Sequence, residues 1–186
     1  MEITNSPRLR FEMMTQEDAQ LLFELDQDPE VMRYINGGKP STMEDIVNIL
    51  LPRLKVYTDP DKGWGIWKVT TRSDNTPLPS SFIGWILVRP MDFFSDSPKY
   101  HDIELGWRFK QCSWGKGYAT EAARAIATKI ANQQGVSHLS AVADEDNLAS
   151  IKIMQKLGMT FKQLTQYPTP MGSVEVVHYQ IPADKL

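Results

Sequence analysis

Apolar positions change period several times along the chain, and each change marks an element. Leu9, Phe11 and Met13 alternate with polar residues, predicting a first strand over 8–13. From Thr15 the period lengthens. Leu21, Leu22 and Leu25 fall on one helical face, and Thr15-x-x-Asp18 forms a capping-box pattern with Asp in place of the usual Glu. Asp28-Pro29 interrupts that helix and restarts it, with Pro29 in a first-turn position. Val31, Met32 and Ile35 carry it on until Asn36-Gly37-Gly38 ends it. Ser41 or Thr42 then caps a helix running through Ile46, Ile49, Leu50 and Leu54, and Asp59-Pro60-Asp61 makes a turn.

Alternation returns at 64–70, with Trp64, Ile66 and Lys68 on one face and Gly65, Trp67 and Val69 on the other. A polar, proline-bearing hairpin loop is expected over 72–81, then a buried strand over 82–88. Residues 89–101 read as a long loop holding Met91, Phe93 and Phe94. It is open between a lid over a site and a loop that packs its aromatics beneath itself. A strand over 102–109 leads through a glycine-rich turn into a helix over 118–134, ended by Gly135. A strand over 137–143, a helix over 147–157 stopped by Gly158, and an antiparallel pair over 159–166 and 174–181 complete the chain. The order β-α-α-β-β-β-α-β-α-β-β describes one α/β (α+β) domain over 1–186, its core spanning 8–182.

Composition narrows the functional classes. The 186 residues are 41% hydrophobic and 23% charged, which suits one domain with a real core. The net charge of −3 comes without a Lys/Arg cluster, so no nucleic-acid partner is expected. Cys112 is the sole cysteine, which excludes an intrachain disulfide and a zinc site of the usual spacing; no metal is expected. No apolar run approaches membrane-spanning length, and residues 1–10 are too polar for a signal peptide. These features imply a cytoplasmic protein with no membrane partner.

The chemistry concentrates in Trp114-Gly115-Lys116-Gly117-Tyr118-Ala119-Thr120, between a strand and a helix. Glycines let the backbone turn tightly and approach a ligand. The unpaired N–H groups opening the helix favour an anion, typically a phosphate. Lys116 adds a cation at the rim, and Ala119, Ala122, Ala123, Ala125 and Ala127 let the helix lie close on the sheet. A nucleoside-triphosphate loop needs Gly where Lys110 stands and Ser or Thr where Gly117 stands. A dinucleotide fingerprint needs Gly or Ala where Thr120 stands, and an acidic residue beyond a second strand. Both patterns fail. Taken alone, the turn is equally consistent with a tight strand-to-helix connection.

The flanks carry a resemblance. Ile103-Glu104-Leu105-Gly106-Trp107, the segment from Trp114 to Ala122, and Asn147-Leu148-Ala149-Ser150 with Lys156-Leu157-Gly158-Met159 resemble the GNAT superfamily of N-acetyltransferases. With Asp28-Pro29-Glu30-Val31-Met32-Arg33-Tyr34, the likeness is to its RimJ/RimL-like branch, the ribosomal-protein N-terminal acetyltransferases. It runs in consistent order over 8–182. One departure is Trp114, where the superfamily loop usually has Gln or Arg; the narrower branch shares it.

The resemblance implies a mixed, mostly antiparallel sheet of six to seven strands flanked by about four helices. It also implies direct acetyl transfer from acetyl-CoA to a primary amine in a ternary complex. The coenzyme would be held by Trp107, Phe109, Trp114, Gly115, Lys116, Gly117, Tyr118, Ala119, Thr120 and Asn147. Glu104 is the candidate base, against an outward-facing or ion-paired carboxylate; His101 and Asp102 are weaker candidates. Many family members place a Tyr acid where Met154 stands, so Ser150 is the candidate acid, against a serine bonding to its own turn. Asn147 is open between a helix cap and a coenzyme contact. Tyr34, Trp67 and the 93–94 aromatics are candidates for the acceptor wall, while Cys112, His138 and His178 read as structural. The acceptor is open between a protein N-terminus and a small-molecule amine, and the assembly between monomer and homodimer. A coenzyme-binding accessory or sensor without turnover is the rival reading.

Overall fold

The computed structural model describes residues 1–72, 80–169 and 172–186. The expected loop over 72–81 lies largely outside them. One sheet holds β1 (Leu9–Met13), β2 (Gly65–Thr71), β3 (Phe82–Met91), β4 (Lys99–Phe109), β5 (His138–Ala143), β6 (Thr160–Thr169) and β7 (Gly172–Pro182), in the spatial order β1-β2-β3-β4-β5-β7-β6. Every neighbouring pair is antiparallel except β4 and β5. The helices are α1 (Ala19–Leu25), α2 (Pro29–Asn36), α3 (Met43–Asp45), α4 (Leu51–Tyr57), α5 (Tyr118–Ala131) and α6 (Leu148–Lys156). Among the described residues no helix is long and apolar enough to cross a membrane.

Local chemistry sets the helix limits. Thr15 and Thr42 each close a capping box, with Asp18 and Asp45 as the returning side chains. Asp28 caps α2 ahead of Pro29, and Gly37, at φ 77°, stops it in the left-handed region. Helices α3 and α4 join through a π turn at Ile46–Leu50, in which the Leu51 N–H reaches back to the Ile46 carbonyl. Pro52 follows at once. Its ring would clash with a carbonyl four residues back and it has no N–H to give, so the wider turn accommodates it.

The sheet is covered on both faces. Over one face α5 and α6 pack Ala122, Ile126, Ile130 and Met154 against Val69, Ile86 and Leu105. Ala122, Ala123 and Ala127 are fully buried, so their small side chains let α5 approach the strands closely. Over the other face α1 and the α3–α4 run pack Leu22, Leu25, Ile46 and Leu54 on Ile66 and Trp85.

Two expectations change. β3 runs on to Met91 and β4 begins at Lys99, so the connecting loop is 92–98 rather than 89–101. Pro90 concealed the extension. It lies where β3 has outrun β2, whose pairing stops at Val88, and a missing N–H on an open edge is tolerated. Helix α5 ends at Ala131, before the expected 134.

The feature that builds the site is the short contact between the parallel strands. β4 and β5 pair only at Asp102↔His138, Ile103↔Leu139 and Glu104↔Ser140. Beyond Glu104, β4 stays with β3 as far as Phe109↔Gly84, while β5 stays with β7 as far as Ala143↔Val177. The sheet therefore opens into a V. Its facing edges, 105–109 and 141–143, carry backbone groups without a ladder partner. At the mouth, β3 approaches β4 so closely that a Cβ on Gly84 would lie 2.3 Å from the Arg108 carbonyl oxygen.

Candidate active site

The glycine turn lies at the open end of the V, leading from β4 into α5. Gly115 and Gly117 adopt φ 72° and 78°, values that residues with a Cβ resist. Gly117 is the N-cap residue of α5 and brings no capping side chain. Among the described residues the first N–H groups of α5 therefore have no capping side chain, and the positive end of the helix dipole lies at this turn. Trp114 is 45% exposed, and its indole N–H donates to the Phe109 carbonyl at 2.8 Å, which fixes the ring beside the cleft. Lys116 Nζ donates to the Cys112 carbonyl at 2.8 Å, tightening the turn.

A residue outside the motif also holds this turn. Arg8, just ahead of β1, donates through Nη1 to the Lys116 carbonyl at 3.0 Å and through Nε to Glu121 at 2.6 Å. Its guanidinium lies 4.4 Å above the buried Tyr118 ring. Burial pushes the Glu121 carboxyl upward, but hydrogen bonds from Ser6 and Arg8 outweigh it and hold Glu121 below its ordinary range. The glycine pattern reveals the turn and is silent on the arginine 108 positions earlier that holds it.

On the α5–α6 side of the V, Trp107 and Ser150 meet. The Trp107 indole N–H donates to Ser150 Oγ at 3.2 Å, which leaves the serine's own proton free to be donated. Asn147 accepts from the Ser150 N–H at 3.2 Å and so caps α6, while its Nδ2 donates to none of the described residues. Cap and ligand donor are compatible in this geometry, since each uses a different atom of the amide.

Glu104 sits at the apex of the V, on the opposite face. It is 4% exposed and ion-paired: Arg89 Nε donates to its Oε2 at 2.8 Å. The Tyr167 hydroxyl donates to its Oε1 and in turn accepts from Arg89 Nη2. Burial, then the adjacent Glu104 charge, hold the Tyr167 phenol well above its ordinary range, so it stays protonated. Burial works against the Arg89 charge, but Glu104 overcomes it and the guanidinium is held more firmly protonated than usual. Tyr57 lies against the same group, with the Arg89 guanidinium 5.4 Å from its ring, and burial raises its phenol too.

The weaker base candidates are committed elsewhere. Asp102 accepts from Ser140 at 2.7 Å and from Gln180 at 2.7 Å, and Ser140 also contacts buried His178 at 2.8 Å. His101 Nδ1 lies 2.7 Å from the Gly135 carbonyl. The acceptor-wall candidates separate. Trp67 is a core residue on the α5 side, its indole N–H donating to the Gly63 carbonyl at 2.9 Å. Phe93 and Phe94 pack edge-on with each other and with Tyr57, at the Glu104 face. Tyr34 projects from α2, 38% exposed, under the Arg33 guanidinium. A depression of about 310 Å³ lies beside the glycine turn, between Leu25, Asp28, Val31 and the 110–112 segment. Among the described residues no cluster could hold a metal ion.

The sheet is split between a parallel pair with an uncapped glycine turn at its mouth, and comparison with known proteins identifies the class as acetyltransferases. The model of the acetyltransferase (GNAT) domain matches residues 8–160, and the chain belongs to that family of N-acetyltransferases. The FsC-acetyl coenzyme A-N(2)-transacetylase of Aspergillus fumigatus is 25% identical over 92% of this chain and 71% of its own length. A GNAT-family acetyltransferase from Bacillus anthracis superimposes with a TM-score of 0.73 at 24% identity, covering 99% of both chains. The ribosomal-protein α-N-acetyltransferase RimL, solved with coenzyme A, gives a TM-score of 0.72 at 12% identity over 98% of each chain.

Proposed function

We propose that this N-acetyltransferase moves an acetyl group from acetyl-CoA directly to a primary amine in a ternary complex. The observation that carries the reading is the V between β4 and β5. Its unpaired edges match the amides of a pantetheine arm, and the start of α5 stands where that arm's pyrophosphate would fall. Coenzyme A bound to RimL and the acetyl coenzyme A in the name of the Aspergillus relative support the same donor.

In this reading the thioester carbonyl lies near the apex of the V. Free backbone N–H groups of 105–109 polarise it and stabilise the oxyanion as the amine nitrogen attacks. The C–S bond then breaks. The Ser150 hydroxyl gives its proton to the departing thiolate, which needs little help because a thiol pKa is modest, and regains one from solvent, to which Glu104 in turn releases the amine's proton. The ammonium proton of the adduct passes to Glu104. Since Arg89 and Tyr167 already occupy both oxygens, the transfer runs through a water at the remaining lone pairs. Loss of the base costs about 10² in kcat; loss of one neutral donor costs about tenfold.

Free-thiol release from acetyl-CoA against a panel of amines and peptides tests this. Glu104→Gln lowers kcat about 10²-fold and Ser150→Ala about tenfold, both with acetyl-CoA affinity retained. Tight acetyl-CoA binding with no thiol release for any acceptor would instead establish a sensor.

A further inference from the structure

The Glu104 face carries a cation that the acetyl-transfer chemistry leaves unused. Arg53 projects from α4 and is half-buried. Its guanidinium lies 3.7 Å from the centre of the Phe94 ring, and Arg89 lies 5.4 Å from the same ring. Arg89 is neutralised by Glu104. Arg53 has neither a carboxylate partner nor a hydrogen-bond acceptor among the described residues. Arg53, Arg89 and Glu104 together keep one uncompensated positive charge beside the apex of the V. Burial, and then the neighbouring Arg89 charge, make it harder for Arg53 to hold its proton. A half-buried guanidinium with no counter-charge on the protein is available to one on a ligand. Stacking on Phe94 steadies its planar fork, whose N–H groups match a carboxylate in two-point contact.

We propose that Arg53 is the acceptor-recognition residue, and that the acceptor is a primary amine bearing a carboxylate close to the amine. This deepens the acetyl-transfer reading and rests on it. With the carboxylate on Arg53, the amine end reaches toward Glu104 and the thioester, because Arg53 and the Arg89–Glu104 pair share the Phe94 ring. The same charge repels polycationic amines. Two sources could present such a group: a free amino acid, or a peptide N-terminus with an acidic side chain next to it.

Thiol release is measured with two matched pairs in which only the anion changes. One is 4-aminobutyrate against its primary amide. The other is a tripeptide with glutamate at its second position against the same peptide with glutamine. In wild type at least one carboxylate member has a kcat/KM tenfold or more above its neutral partner, and the pair that shows it identifies the source. Arg53→Met raises KM for that substrate at least tenfold, with kcat, acetyl-CoA affinity and the neutral partner's KM nearly unchanged. Arg53→Lys restores part of the loss. Equal or better use of the neutral partner in both pairs, or equal loss on both members in Arg53→Met, overturns the carboxylate assignment and leaves acetyl transfer standing. Thiol release with none of these amines or any other removes both.

Discussion

At the scale of single residues, the clearest case is Gly117. Its φ of 78° costs a residue with a Cβ about 1–2 kcal/mol. A Cβ there would meet only Arg8 Nη2, at an ordinary 3.5 Å, so conformation rather than crowding demands glycine. Gly117→Ala should therefore lower the melting temperature modestly. Gly117→Asp adds a negative charge beside the start of α5 and should weaken acetyl-CoA binding at least tenfold by calorimetry, more than the alanine variant does. Equal affinities for the two variants would remove the anion from this turn. Gly115, Gly117, Glu104 and Ser150 could be nominated as site candidates because what marks them is local: a turn, a strand position and a helix start. Tyr167 was not. It reaches Glu104 across 63 residues, through a β6–β7 register shifted between Phe161 and Gln163. The alternation read over 159–166 stops one residue short of it, and no local signal could place it. Arg89 and Arg53 were missed likewise, because their significance lies in what they face.

Elements were legible where chemistry punctuates the chain. The Thr15 capping box, a cap at Thr42, the Asp28-Pro29 restart and the Gly158 stop lie where they were expected, while the return of Asp45 to Thr42 was not foreseen. Periodicity misled where a strand lost its pattern, as at Pro90 and the exposed Lys99–His101 start of β4. The junction of β4, β5 and β7 also makes a prediction at this scale. His178 is 1% exposed there, and burial first, then Lys162, hold its imidazole below its ordinary 6.5. The unfolded chain gains a proton as pH falls through 6.5, whereas the folded chain does not until lower pH. Stability from this group is therefore full above 6.5 and is lost as pH falls toward the folded value. Denaturant titrations should show wild type less stable at about pH 5.5 than at pH 7, with a smaller difference in His178→Gln. An identical difference in the variant would assign the acid sensitivity elsewhere.

For the whole molecule, fold and site are one feature. Among the described residues seven strands form a sheet whose single parallel contact is only three residue pairs long. The α5–α6 face at the resulting split supplies the glycine turn, Trp107 and Ser150. The opposite face supplies Glu104, Arg89, Tyr167 and Arg53. In the proposed reaction, donor and acceptor meet through the sheet at its apex, each approaching from its own side. The order of elements predicted a mixed sheet. The split was not readable from hydrophobic pattern, because Leu105–Phe109 alternates as a paired strand would, and only the register shows that its β5 edge is bare.

Backbone hydrogen exchange with and without coenzyme A tests this arrangement most directly. Binding in the V should slow exchange at 105–109 and in the first turn of α5, and leave the outer β6–β7 pair unchanged. Coenzyme binding that leaves those amides exchanging as before, or that protects a different surface, would contradict the account.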